Sequence, residues 1–160
     1  MQEPDAAKSF WETADHLNSA AIHLLRGMKG ADRESGLTPA RLSALSVLVF
    51  GGSRTLTALA ATEDVAAPTM TRIVDGLVAL GLAERGPHPD SARKILVSAT
   101  DAGNRVMHRA AERRREVIVA ALRSLDDDAA ARIAAAGPDL RRLSAAVPEA
   151  WQDLAAPPAE

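Results

Sequence analysis

The sequence predicts an all-α fold interrupted by one small β-hairpin. Three observations predict it. Hydrophobic residues are 47% of the 160 positions but aromatics only 2%, since alanine supplies much of the apolar count. Alanine favours helix and buries little area per residue. Phe10, Ala14, Leu17, Ala21, Leu24 and Met28 recur at alternating spacings of four and three. That is a seam of 3.5-residue period, suited to packing along another long helix. Two strand-like runs, "LAERG" and "KILVS", are joined by "PHPDSAR", whose two prolines favour a stiff, extended loop. A core built this way is thin, so the chain gains by burying further surface against a second copy.

The elements follow in order. A first helix is expected over 5–29, carrying the seam, and "GADRESGLTP" then breaks the chain. Thr38 is a good N-cap with Pro39 at the first helical position, and the second helix runs to about Phe50. Its run "LSALSVLVF" is apolar on most sides, which makes it central. "GGSR" ends it. Thr55 caps a short helix to about Thr62, and "EDVAA" is a turn. A helix over 67–80 follows, ended by Gly81, and then the hairpin. Thr100 caps a long helix to about Ser124. "LDDDAAARIAAA" starts another with acidic residues in its first turn, where the helix dipole favours them. Gly137-Pro138 is expected to bend or restart it, and "PEAWQDLAAPPAE" to form a short amphipathic piece and a tail.

Composition excludes several classes. There is no cysteine, which removes disulfides, thiolate nucleophiles, cysteine-ligated zinc and thiol redox sensing. No apolar run approaches the ~20 residues of a membrane span. The start "MQEPDAAKSFWE" is acidic and polar, unlike a signal peptide, so a cytoplasmic protein is expected. The formal net charge of −2 argues against a broadly basic nucleic-acid coat, but not against a local site.

The middle of the chain carries the chemistry. Two helices across a tight turn, the second amphipathic, are a helix-turn-helix. Met70, Ile73, Val74, Leu77 and Leu80 share the inward face of the second helix. Pro68, Arg72, Asp75 and Ala79 lie opposite, flanked by Thr69 and Thr71. Short hydroxyls and one arginine near a helix start suit DNA. Small side chains let the helix sit in a major groove, hydroxyls reach phosphates or bases, and arginine reads guanine with paired hydrogen bonds. A hairpin beside such a helix is a wing, and its Arg93 and Lys94 can enter the adjacent minor groove. The plainer reading is a solvated face in which Arg72 and Asp75 form an exposed i,i+3 ion pair. Between Arg54 and Ser98 the charges balance: Arg54, Arg72, Arg85, Arg93 and Lys94 against Glu63, Asp64, Asp75, Glu84 and Asp90. One protomer would therefore bind DNA weakly, and two copies on two half-sites would help.

From Leu56 to Gly103 the sequence resembles the MarR family of winged-helix regulators, carried by "LTALAATEDVAAPTMTRIVDGLVALGLAERG" and "HPDSARKILVSATDAG". The flanking helices match the family's order. The resemblance implies one domain over 1–160, with dimerisation helices at 5–35 and 101–153 around a winged-helix DNA-binding region at 38–100. It implies a homodimer on a pseudo-palindromic double-stranded DNA operator, usually as a repressor. Release by a small aromatic or anionic ligand is often part of the pattern. Pro68, Thr69, Thr71 and Arg72 fall on the groove-reading positions and Arg93 on the wing arginine. Arg54, Ala67 and Lys94 complete the DNA-binding candidates. The chain departs from the family pattern at Ser91 and Ala92 in the wing, at Asp64 where glycine is usual in the turn, and at Ala66 where serine or threonine usually caps the recognition helix.

Other candidates are sparse. His16 and His23 are seven residues apart on one helical face, too far to chelate one ion unaided. They border the seam or line a ligand cavity. The sequence marks no role for His88 or His108. Arg113, Arg114 and Arg115 read as a solvated surface countered by Glu112 and Glu116. The sharper alternative makes Arg113 part of an anion site. Phe10, Trp11, Ala14, Leu17 and Trp151 are the expected dimer contacts. No catalytic grouping, metal cluster or cofactor loop is recognisable. The competing function is a winged-helix dimer for protein interaction, with DNA binding weak or lost.

Overall fold

The structure is a computed structural model that describes residues 3–88 and 91–155, with side chains described except at 3–7, 91–93 and 153. Its elements are α1 (Glu3–Gly27), α2 (Lys29–Arg33), α3 (Pro39–Gly51), β1 (Arg54–Thr55), α4 (Leu56–Thr62), α5 (Ala67–Ala79), β2 (Ala83–His88), β3 (Ser91–Ala99), α6 (Asp101–Leu122) and α7 (Asp127–Ala155). The chain divides into two compact units, one ending at Val117 and one beginning at Ile118.

The first unit holds the core. Leu45 of α3, Leu59 of α4, Met70, Val74 and Leu77 of α5, Val97 of β3 and Met107 of α6 are all fully buried. Polar caps set the helix starts. Thr38 Oγ1 accepts from the Arg41 amide at 3.4 Å, and Thr55 Oγ1 from the Ala58 amide at 3.2 Å. The sheet is antiparallel with order β1-β3-β2, and Arg54 pairs with Val97 while Ala83 pairs with Ala99. Ser53 and Ser98 tie their hydroxyls at 2.7 Å beside the β1–β3 ladder.

Several elements differ from expectation. The segment expected as a break contains α2, a single turn too short to show a period. β1 has two residues and no pattern of its own; it exists by pairing with β3. The strands extend into the expected loop, and Pro87 pairs with Ile95. Leu80 is the C-cap of α5 and is 52% exposed rather than inward. His108 packs edge-on against Phe50, with ring centroids 5.9 Å apart.

In the second unit α7 runs without interruption through Pro138 and Pro148. Each ring removes one backbone bond and crowds the preceding turn. The alanine-rich run Ala134–Ala136 favours helix strongly, and no described side chain of α7 is buried, so no packing resists a local adjustment. No described side chain of α1 is buried either. No helix of the described residues is long and apolar enough to cross a membrane.

Candidate nucleic-acid interface

The turn and the end of α5 fix its direction. Asp64 adopts φ 50°, the left-handed conformation that the turn requires and glycine usually supplies. Ala66 enters the helix extended and offers no side-chain cap. At the other end the Gly81 amide donates to the Val78 carbonyl and the Leu82 amide to the Leu77 carbonyl, both at 2.9 Å. With Gly81 at φ 69° this is a Schellman cap, which turns the chain directly into β2.

Met70, Val74 and Leu77 bury the inner face of α5, and Ile73 is half-buried. Ala67, Pro68, Thr69 and Arg72 are exposed. Thr71 is half-buried and its hydroxyl donates to the Ala67 carbonyl at 3.0 Å. It can still accept a hydrogen bond and present its methyl group. The Thr69 amide donates to the Ala66 carbonyl at 2.9 Å, and its hydroxyl makes no hydrogen bond to a described residue.

The ion pairing corrects the plainer reading. Asp75 does not pair with Arg72; it accepts from Arg85 Nη2 of β2 at 2.7 Å. This pair joins α5 to β2. Arg72 is left exposed with no ion pair to any described residue.

The wing is described in part. Pro89 and Asp90 lie outside the described residues, as do the side chains of Ser91, Ala92 and Arg93, so the Arg93 assignment falls outside them too. Lys94 is exposed and lines a groove of 620 Å³ with Thr55, Leu56, Thr57, Ala58, Ala61 and Ile95. Arg54 is half-buried and folded back on the end of α3. Its Nη2 donates to the Gly51 carbonyl at 3.4 Å, and its Nε is enclosed without a partner. It is not part of the exposed α5 face.

The ligand candidates do not converge. His16 and His23 are exposed on α1, and neither lines the cavity that Arg113 borders. That cavity, of 330 Å³, lies between α2 and α6 and includes Ala31, Glu34, Val106, Arg109 and Arg113. Arg113 gives two bonds to Glu34, at 3.0 and 3.3 Å, and one to Glu116 at 2.8 Å. Glu116 and Glu34 hold its guanidinium above the usual arginine range, so it stays charged. Arg114 pairs with Asp32 at 2.6 Å, and Arg115 pairs with Glu112. The counter-charge reading of this arginine run is therefore the observed one, with Asp32 and Glu34 added to it. Two carboxylates, Glu34 and Glu116, hold Arg113 at the edge of this cavity. Nothing in the sequence marks Arg109, which lines the same cavity without an ion pair to a described residue. Among the described residues no three His, Asp or Glu side chains gather as a metal site.

Phe10 and Trp11 are each 75% exposed and Trp151 69%; Ala14 is exposed and Leu17 half-buried.

Residues 35–94 match the MarR family. The HTH-type transcriptional regulator ML2140 of Mycobacterium leprae is 35% identical over 115 residues, covering 72% of this chain and 80% of that protein. In structure the chain is similar to a MarR family protein from Bacillus stearothermophilus, with TM-score 0.73 and 22% identity over 88% of this chain and 96% of the other. It is also similar to a MepR mutant of S. aureus bound to an oligodeoxyribonucleotide, with TM-score 0.64 and 12% identity over 84% and 97% of the two chains.

Proposed function

The chain belongs to the MarR family and is a DNA-binding transcriptional regulator, and from that premise we propose that it works as a homodimeric repressor on a pseudo-palindromic operator, relieved by a small ligand. The observation that carries the DNA reading is the exposed Thr69–Arg72 face of α5, with Arg72 unpaired because Asp75 is held by Arg85. A free guanidinium on a helix that fits a major groove has guanine as its natural partner.

The dimer rests on α1 and α7. Helices of 25 and 29 residues that bury no described side chain need a partner surface to be stable. Phe10, Trp11, Ala14, Leu17 and Trp151 supply apolar area for one. Replacing Phe10 with aspartate is expected to shift the protein toward monomer in sedimentation at micromolar concentration and to weaken operator binding. A Phe10→Asp protein that stays dimeric would remove this residue from the interface.

Ligand relief rests on the cavity between α2 and α6, where Ala31, Val106 and Ala110 give apolar walls and Arg109 an available cation. A small aromatic or anionic molecule suits that lining. It would act by favouring dimers whose recognition helices no longer match the half-site spacing.

The test is binding to DNA from upstream of the coding sequence against scrambled DNA, at two salt concentrations. A preference of about 1000-fold or more for the native fragment is expected. The balanced charge of the winged-helix segment favours the second reading, an interaction module with weak DNA binding. Equal, weak binding to both DNAs, persisting in a genome-wide selection, would support that second reading instead.

A further inference from the structure

Resting on the DNA-binding reading above, we propose that Arg41 of α3 is a second DNA contact. Its guanidinium is seated on the recognition helix by Gly76 and reaches a backbone phosphate beside the groove.

The seat is a close approach. A Cβ built on Gly76 would lie 2.3 Å from Arg41 Nη2, 2.4 Å from Nε and 2.5 Å from Cζ. The guanidinium therefore rests directly on the backbone of α5, in space that any other residue would fill. Gly76 sits in mid-helix and has no positive φ. Conformational freedom does not explain it, and glycine is the poorer helix former there. Room for Arg41 is the reason the structure offers.

The position decides what the guanidinium faces. At 100° per residue, Gly76 falls on the stripe of Thr69 and Arg72, away from the core stripe of Met70, Val74 and Leu77. Arg41 thus brings a cation from a different helix to the exposed side of α5, one turn beyond Arg72. Its side chain makes no hydrogen bond or ion pair with a described residue; its backbone amide donates to Thr38 Oγ1. Arg85, Arg113, Arg114 and Arg115 all hold carboxylates. Arg41 and Arg72 are two cations left unpaired on one face. Arg41 also lies outside the segment in which the charges balance, so it adds positive potential where that count found none. A planar guanidinium with its N–H groups unspent, next to a groove-reading helix, matches a phosphate in charge and shape.

The experiment measures operator affinity across a salt series for wild type, Arg41→Ala, Arg41→Lys and Gly76→Ala, with thermal melting in parallel. Arg41→Ala is expected to lower the slope of log affinity against log salt by about 2 for a dimer on two half-sites, one phosphate per protomer. Preference among operator sequences should be unchanged. Arg41→Lys keeps the charge and most of the slope. Gly76→Ala displaces the guanidinium while favouring helix, so it should weaken DNA binding without lowering the melting temperature. An Arg41→Ala slope equal to wild type would overturn the proposal and leave Arg41 a packing residue, whatever happens to its stability. Failure of the wild type itself to bind selectively would overturn the reading beneath it, and is seen before any variant is compared.

Discussion

Replacing Gly103 with alanine is expected to cost about 3 kcal/mol of stability, at the upper end for overpacking, because the added methyl meets backbone that cannot retreat. A Cβ there would lie 2.1 Å from the Leu82 carbonyl oxygen and 3.1 Å from Leu45 Cδ1. That carbonyl is already fixed, since it accepts from the Thr100 amide at 3.1 Å. Thr100 Oγ1 donates to the Gly81 carbonyl at 2.7 Å and accepts from the Gly103 amide at 3.1 Å. The end of the recognition helix, the start of the wing and the first turn of α6 therefore meet at one small knot. Relief of the clash must move one of the three, so operator binding should fall together with stability. Thr100→Val keeps the shape and loses the side-chain bonds, a milder change of about 1 kcal/mol, as for a lost cap. Urea unfolding at a fixed protein concentration measures both, since a dimer's stability depends on concentration. A Gly103→Ala midpoint equal to wild type would show that α6 is not docked at Leu82 in solution.

That knot was only half legible in the sequence. Thr38, Thr55 and Thr100 each precede a helical run, and a hydroxyl there has one obvious use. Gly81 closes an amphipathic pattern, and only the left-handed conformation explains a glycine at that point. Asp64 is marked only through the family resemblance, where it takes the turn position that glycine usually holds. All of these signals are local. What escaped is long-range or too short to have a period. β1 is two residues held by β3, and α2 is one turn. Arg113 finds Glu34 across 79 positions, and Asp75 chooses Arg85 over its own helical neighbour. A helical wheel puts Asp75 one turn from Arg72 and reports nothing of a strand folding back beside it. The seat of Arg41 on Gly76 is hidden for the same reason, since an interior glycine carries no mark of the side chain that needs its space.

The choice made by Asp75 leads to the largest expected functional effect. Arg72→Ala should weaken operator binding by about 1–3 kcal/mol per half-site and relax preference at one base pair, because a paired arginine–guanine contact carries both affinity and discrimination. The melting temperature should barely move, as Arg72 is exposed and holds no described carboxylate. A competing account treats α5 as a solvated face, and on that account the substitution is silent in DNA binding. Arg85→Ala separates the two further. It removes the partner that holds Asp75 at 2.7 Å and frees that carboxylate to pair with Arg72 along the helix. Arg85→Ala should then mimic part of the Arg72→Ala defect, and adding Asp75→Ala should restore binding by releasing Arg72 again. If Arg85 instead contacts DNA itself, the double variant will bind no better than Arg85→Ala alone. Affinity for the operator, measured for Arg72→Ala, Arg85→Ala, Asp75→Ala and the Arg85→Ala, Asp75→Ala double variant, decides whether the wing's role includes keeping Arg72 unpaired.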